Sequence, residues 1–391
     1  MLVRISNEPR DYAWGSTSLI ARLQGRVPSG AAEAEVWFGD HPGSPAIVED
    51  GTARTVDRWL AEETGSGSRL PFLLKLLAAG SPLSIQVHPS KNQAEEGFER
   101  EDAAGIPRDA AHRNYRDDNH KPELIVALSD EFEALAGLRA LADTRRLVAA
   151  LGDSAGVRAL SERLRVDDER GALADVIGWV LSGEAGSYVD DIINAVVAME
   201  LDASDEFARE VRLIGRLQDA YPGDAGIVVA MLMNYVTLAP GEAIFVGAGV
   251  LHAYVAGLGV ELMAASDNVL RGGLTPKYID TEELSRILDT TPIAPPLLLP
   301  TSKDDYVDVF DAGIEDFALT RVRVANTPVA VPVSAPAIVL VVDGTVEVSG
   351  ADEAHAIALS PGTALIASAD EQVLRFRTDH GGVAFIATPG R

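Results

Sequence analysis

Seven histidines and no cysteine confine any metal chemistry in this chain to imidazole, carboxylate and amide donors. The histidines stand at 41, 88, 112, 120, 252, 355 and 380. In SPLSIQVHP (81–89), Leu83, Ile85 and Val87 alternate with Ser84, Gln86 and His88. That alternation puts Ser84, Gln86 and His88 on one face of a strand. Glu123 opens PELIVAL (122–128), a short β-branched run, and His252 lies in GAGVLHAY (247–254), just after another. Two imidazoles and a carboxylate suit Zn²⁺ or a similar divalent ion. An amide oxygen from Gln86 is a weak donor, and would leave such an ion more Lewis-acidic than a third histidine or a thiolate would. Spacing alone leaves a second reading open, that of strand histidines satisfied inside the core.

A second group runs from Glu261 to Lys277, ELMAASDNVLRGGLTPK. Arg271 and Lys277 there could hold a phosphate, Arg with bidentate geometry. An ordinary salt-bridged loop between strands would read the same way. Gly247-x-Gly249-x-x-His252 approaches a dinucleotide fingerprint, but His replaces the third Gly and no helix pattern follows. Neither a P-loop nor a G-x-S-x-G elbow occurs. The net charge of −26 repels phosphate backbones and anionic lipid, and the basic residues form no aromatic-interleaved patch. An anionic substrate therefore needs its own local cations.

The elements that must position these residues change character along the 391-residue chain. The first 130 residues mix short strand-like runs, including 71–80, 81–89 and 122–128, with loops, and 90–121 is polar and looped or partly helical. From 131 to 220 apolar residues recur at helical spacing (Leu147, Val148 and Leu151; Ile192, Ile193, Val196 and Val197), which predicts four or five helices ended by Tyr221-Pro222-Gly223-Asp224. Strands return at 231–238 and 242–246, and again in IVLVVDGTVEV (338–348), where Asp-Gly predicts a hairpin. LAPGEAIF (238–245) matches LSPGTALI (359–366), as two related barrels or jelly rolls would, although Pro-Gly turns between strands are common. No His follows the second copy at the distance of His252 from the first. The start MLVRISNEPRDYAWGS has no apolar signal-peptide core, and no apolar run approaches the roughly 18 residues of a membrane span. The expectation is a cytoplasmic globular protein of two or three domains.

Taken together, several segments carry a resemblance to one family. They are Tyr12-Ala13-Trp14-Gly15-Ser16, AEVWFGDHP (34–42), 70–101 with its IQVHP, Asn119-His120-Lys121-Pro122-Glu123, Tyr221-Pro222-Gly223-Asp224, and 240–280 with SDNVLRGGLTPK. In this order they resemble the type I mannose-6-phosphate isomerases, zinc enzymes of the cupin superfamily. Gly80 to His88 and Gly241 to His252 are similar to the two cupin motifs, with Gln86 in place of a His and Gly247 where Pro is usual. The resemblance implies a mainly β fold with an α-helical insertion, a cupin-type double jelly roll plus a helical domain. Residues 1–130 and 223–325 would form the metal-binding catalytic domain, 131–222 the helical insertion, and 326–391 a jelly-roll-like domain without metal.

It also implies one zinc per chain on Gln86, His88, Glu123 and His252. Arg271 corresponds to the family's catalytic arginine. Glu261, Lys121 and His120 are candidates for the proton-shuttling base, and Trp14, Lys75, Ser84, Tyr254, Asp267 and Lys277 for substrate contacts. The implied reaction interconverts D-mannose 6-phosphate and D-fructose 6-phosphate through a cis-enediol. The competing reading is a metal cupin that binds a sugar or phosphosugar without catalysis, or an oxygenase. The expected partner is a small phosphosugar, with no nucleic acid and no membrane, on a monomer or weak homo-oligomer.

Overall fold

Strand His252–Ala264 organises the first half of the molecule. Its start pairs with Ile85–Val87 and Phe132–Leu138, and its end with Phe72–Ala79 and Glu123–Ala127. A bulge between Tyr254 and Ala256 turns it from one wall of a β sandwich into the other. Gly257 follows with φ +120°, where a Cβ would stand 2.8 Å from the Phe132 ring, so only glycine fits. Glu35–Phe38 extends one wall and Leu270–Gly273 the other, and Ala243–Val246 and Met233–Leu238 complete nine strands. The coordinates are a computed structural model that describes residues 1–64 and 69–390.

Each wall has an apolar back, and an inner face that carries the polar site residues beside an apolar cluster of Leu77, Ile125, Phe132, Ala134 and Ile244. On one wall Ile85, Val87, Leu251 and Leu270 pack against Leu147, Val157, Leu173, Ile192 and Leu217 of the helices. Five helices, Leu141–Ala150, Ala155–Arg163, Glu169–Leu181, Ser187–Val197 and Ala208–Ala220, leave the sheet after Phe132–Leu138 and return to its hydrogen-bonded neighbour Met233–Leu238. The insertion therefore interrupts the sequence without interrupting the sheet, and it covers the back of the wall that carries Gln86 and His252. On the other wall Val36, Leu74, Leu76, Leu124, Val126 and Val260 pack against Ile5, Phe310, Phe317, Leu340, Ile366 and Phe385 of a second β body. Burying such side chains stabilises by roughly 1.5–3 kcal/mol each, so both walls are held rigid from behind.

The second body is an eight-stranded sheet facing a four-stranded one. Pro240-Gly241 and Pro361-Gly362 occupy matching places. Each turns on a glycine with positive φ and carries the chain from one sheet face to the other, so the repeat read in the sequence is a repeat in the fold. No helix among the described residues is long and apolar enough to cross a membrane.

Three local expectations change. Phe132–Leu138 (FEALAGL), at the start of the stretch read as helical, is a strand, because its neighbours His252–Ala256 and Met233–Leu238 override helix-favouring Ala and Leu. Gly226–Met231, beyond the Pro-Gly breaker, is a short helix buried at every residue, too apolar all round to show a period. Asp343-Gly344 makes no hairpin: Ala337–Gly344 pairs in the eight-stranded sheet and Val346–Ser349 in the four-stranded one, so the dipeptide is a corner. The sheets also do not part at residue 325, since Leu2–Ser6, Ile47–Val48, Thr301–Ser302, Val307–Phe310 and Ala318–Val324 all join the eight-stranded sheet of the C-terminal strands.

Candidate metal centre

Register brings the ligating side chains together. Arg271, Gln86, His252 and Ala136 are direct partners across four adjacent strands, so the first three form one row on the inner face. On the facing wall Glu123 opposes Met263, and Trp37, Lys75, Glu261 and Ile125 form a parallel row. The bulged strand joins the rows, and Tyr254 on it reaches Glu123 Oε2 with its hydroxyl at 3.3 Å.

Both imidazoles are oriented by backbone carbonyls. His88 Nδ1 lies 2.8 Å from the Asn268 carbonyl and His252 Nδ1 lies 3.2 Å from that of Val250. A carbonyl only accepts, so each Nδ1 carries the proton and each Nε2 presents a lone pair. Those lone pairs meet the two oxygens of one carboxylate: His88 Nε2 is 3.1 Å from Glu123 Oε1, and His252 Nε2 is 3.3 Å from Oε2. His88 Nε2 is fully buried with no hydrogen-bond partner among the described residues. Acceptors this close repel one another unless a cation lies among them. His88, Glu123 and His252 are also the one group of three His, Asp or Glu among the described residues whose ligand atoms fall within 4.8 Å of each other. The residues fit a zinc ion without sulfur, through their Nε2 and carboxylate donors. Gln86 Nε2 donates to Ser84 Oγ at 3.2 Å, which leaves its carbonyl oxygen available.

The charges around this point are balanced in pairs. Lys121 Nζ lies 2.7 Å from Glu123 Oε1. Burial opposes the Glu123 charge, but Lys121 and then His88 outweigh it and hold its pKa well below the carboxylate range. Burial, then the Lys121 charge, lowers His88 to about 4, so it is neutral and ready to ligate. One step along the wall, Lys75 Nζ lies 2.9 Å from Glu261 Oε2 and 3.7 Å from Glu35 Oε1. Burial raises the Glu261 pKa despite Lys75. Burial opposes the Lys75 charge, but Glu261, Glu35 and Glu123 outweigh it and keep the ammonium protonated.

This geometry has close relatives. A model of the phosphomannose isomerase type I catalytic domain matches residues 2–141. The chain is 35% identical over 383 residues to mannose-6-phosphate isomerase of Salmonella typhimurium, covering 94% of this chain and 95% of that one. It is 34% identical over 399 residues to the Escherichia coli enzyme, covering 97% and 98%. The chain belongs to the type I mannose-6-phosphate isomerases. A crystal structure of the Salmonella typhimurium enzyme with fructose 6-phosphate and zinc superposes over 100% of both chains, with a TM-score of 0.88 at 32% identity. The fold is accordingly the cupin-type, mainly β architecture with a helical insertion.

Within this family frame the remaining residues divide. Arg271 is half-buried in the row of Gln86 and His252, and its side chain has no acidic partner among the described residues. Burial and then the charge of Arg116 lower its pKa. Lys277 is exposed beside it, its pKa lowered by burial, then by Arg271 and Arg116. Arg116 is thus a third cation of this group, missed in the sequence because 116 lies far from 271 and the local charge pattern there is mixed. Trp14 packs beside the cluster containing Leu83 and Tyr254. Two expected residues stand apart from the metal point. His120 Nε2 is 2.7 Å from Asp316 Oδ2 of the second β body. Asp267 Oδ1 lies 3.4 Å from His41 Nε2, and both line a cavity of about 280 Å³ that Arg116 also lines. Asn268 is also new: wholly buried, it accepts from the Arg116 and Asp117 amides and donates to the Asp117 and Asn119 carbonyls, which pins the loop whose backbone orients His88.

Proposed function

We propose that this chain interconverts D-mannose 6-phosphate and D-fructose 6-phosphate, with zinc held by His88, Glu123, His252 and the Gln86 carbonyl. One observation carries the reading: two carbonyl-anchored imidazoles aim their Nε2 lone pairs at one buried carboxylate, and one of them, His252, shares a row with Arg271. Zinc in that place supplies a Lewis acid for the sugar's carbonyl and hydroxyl oxygens.

The chain's own side chains divide the remaining work. In the aldose the C2–H bond breaks, its electron pair becomes the C1–C2 double bond, and charge moves to O1; the O2 hydroxyl proton then passes to O1, the O2 electron pair re-forms a carbonyl at C2, and returning the first proton to C1 gives the ketose. We assign the proton to the Glu261 carboxylate, because burial raises its pKa and Lys75 keeps it within reach of ionisation. Lys121 is engaged with Glu123, a ligand of the zinc in this reading, and His120 with Asp316 of the second β body, which favours Glu261 over both. Arg271 faces the reacting carbons as a fixed charge, since its own row contains Gln86 and His252. Lys277 and Arg116, further towards solvent, take the phosphate. Ser84 orients Gln86. Trp14 and Tyr254 shape the wall, and Asp267 sits at the rim. In this reading catalysis belongs to the nine-stranded body, while the helical insertion 131–222 and the second β body, which takes strands from both 1–130 and 223–325, are supports. We infer a cytoplasmic monomer or weak homo-oligomer with no nucleic-acid or membrane partner, in keeping with the −26 charge.

A coupled assay for fructose 6-phosphate formed from mannose 6-phosphate tests the reading. Turnover that disappears with chelation and returns with Zn²⁺ supports it, and a zinc-loaded chain with no turnover refutes it.

A further inference from the structure

The segment 119–122 is the point where the two β bodies meet beside the metal cluster. The catalytic body ties down both ends of it. Asn119 O accepts from Ser266 Oγ at 3.2 Å and Asn268 Nδ2 at 2.9 Å, and Pro122 O accepts from the Ala264 amide at 3.1 Å. Between them His120 turns the other way, to Asp316 at 2.7 Å, with the two side chains only 26% and 16% exposed. Asp316 is itself fixed. It precedes Phe317, wholly buried between the bodies, and the neighbouring Glu315 carbonyl accepts from the Gly390 amide at 3.0 Å. Next to His120, Lys121 holds Glu123 at 2.7 Å. A change in the His120 backbone therefore moves Lys121 directly.

We propose that Asp316 is a positioning residue: through His120 it holds the 119–122 segment so that Lys121 Nζ stays on Glu123, and the second β body thereby sets turnover in the first. This rests on the isomerase reading above, and gives the metal-free body a part in the reaction without placing any of its atoms on substrate.

The test compares full-length, zinc-loaded wild type with Asp316→Ala, Asp316→Asn, His120→Ala and the double variants. A displacement of a fraction of an ångström in a group that positions the reacting centre costs about tenfold or more. Asp316→Ala should lower kcat about tenfold, with KM within about threefold and zinc content unchanged. Asp316→Asn, which keeps a hydrogen-bond partner for His120, should lose only about two- to threefold. In the His120→Ala background neither Asp316 change should lower kcat further. Wild-type kcat in Asp316→Ala overturns the inference. So does a further two- to threefold loss in Asp316→Asn/His120→Ala relative to His120→Ala, a comparison that stands even if Asp316→Ala fails to fold. A wild-type chain inactive on mannose 6-phosphate instead overturns the isomerase reading.

Discussion

Replacing Asn268 with Ala should loosen zinc far more than the loss of one surface-loop amide suggests. Asn268 Oδ1 accepts from the Arg116 amide at 2.7 Å and the Asp117 amide at 3.2 Å, and Nδ2 donates to the Asp117 carbonyl at 2.7 Å and the Asn119 carbonyl at 2.9 Å. The side chain is wholly buried, so its truncation removes four hydrogen bonds, and of the backbone groups involved the Asn119 carbonyl keeps Ser266 Oγ. At about 1 kcal/mol net each, the cost approaches about 4 kcal/mol, less whatever water recovers. The same residue's backbone carbonyl accepts the His88 Nδ1 proton at 2.8 Å. Partners of this kind contribute about 10- to 100-fold in metal affinity, or about 1.4–2.8 kcal/mol. The assay is zinc affinity by competition with a chromophoric chelator, with thermal unfolding of stripped and loaded protein. The loaded variant should lose more stability than the stripped one, by the affinity difference. Affinity within threefold of wild type would refute the idea that this loop orients His88.

Other perturbations separate the roles assigned above. Lys75→Met leaves Glu261 and Glu35 buried without their cation, so it should cost about 3–5 kcal/mol, and adding Glu261→Gln should recover much of that midpoint loss in urea; a loss below about 1 kcal/mol would show the pair contributes little. Arg271→Ala should cut kcat by about 100-fold or more with zinc retained, whereas Arg116→Ala should raise KM about tenfold with kcat nearly unchanged. The reverse pattern would exchange the electrostatic and phosphate roles. In the stripped protein His88 is held near a pKa of about 4 against 6.5 in the unfolded chain, so between those values the unfolded chain binds the extra proton. Stability should therefore fall as pH drops from 6.5 towards 4, by up to about 3 kcal/mol, and His88→Gln should flatten that slope. An equal slope in the variant would assign the effect to another group.

Much of this site was legible because a strand writes its facing into the sequence. The alternation of Leu83, Ile85 and Val87 with Ser84, Gln86 and His88 separated the faces of that strand: Ile85 and Val87 pack on the helices and Gln86 faces inward, while Leu83, just before the strand, joins the apolar cluster of Phe132 and Tyr254. The family motifs then pointed to Glu123 and His252. The groups that orient the imidazoles were not legible, because the carbonyls of Asn268 and Val250 belong to the backbone and carry no side-chain signature. Glu35 and Trp37 join Lys75 and Glu261 only through sheet register, across three strands well separated in the sequence. Distance in sequence also hid the second sheet's N-terminal strand, since Leu2–Ser6 pairs with Ala364–Ala367. His120 and Lys121 look equivalent in Asn119-His120-Lys121-Pro122-Glu123, yet successive residues point apart, one to Asp316 and the other to Glu123.

Zinc content and mannose 6-phosphate turnover, measured on one preparation of wild type and Glu123→Ala, test the account most directly. The account predicts one zinc per wild-type chain, turnover that follows zinc on stripping and reloading, and loss of both in Glu123→Ala. Turnover in the fully stripped chain, or full zinc retained by Glu123→Ala, would contradict it.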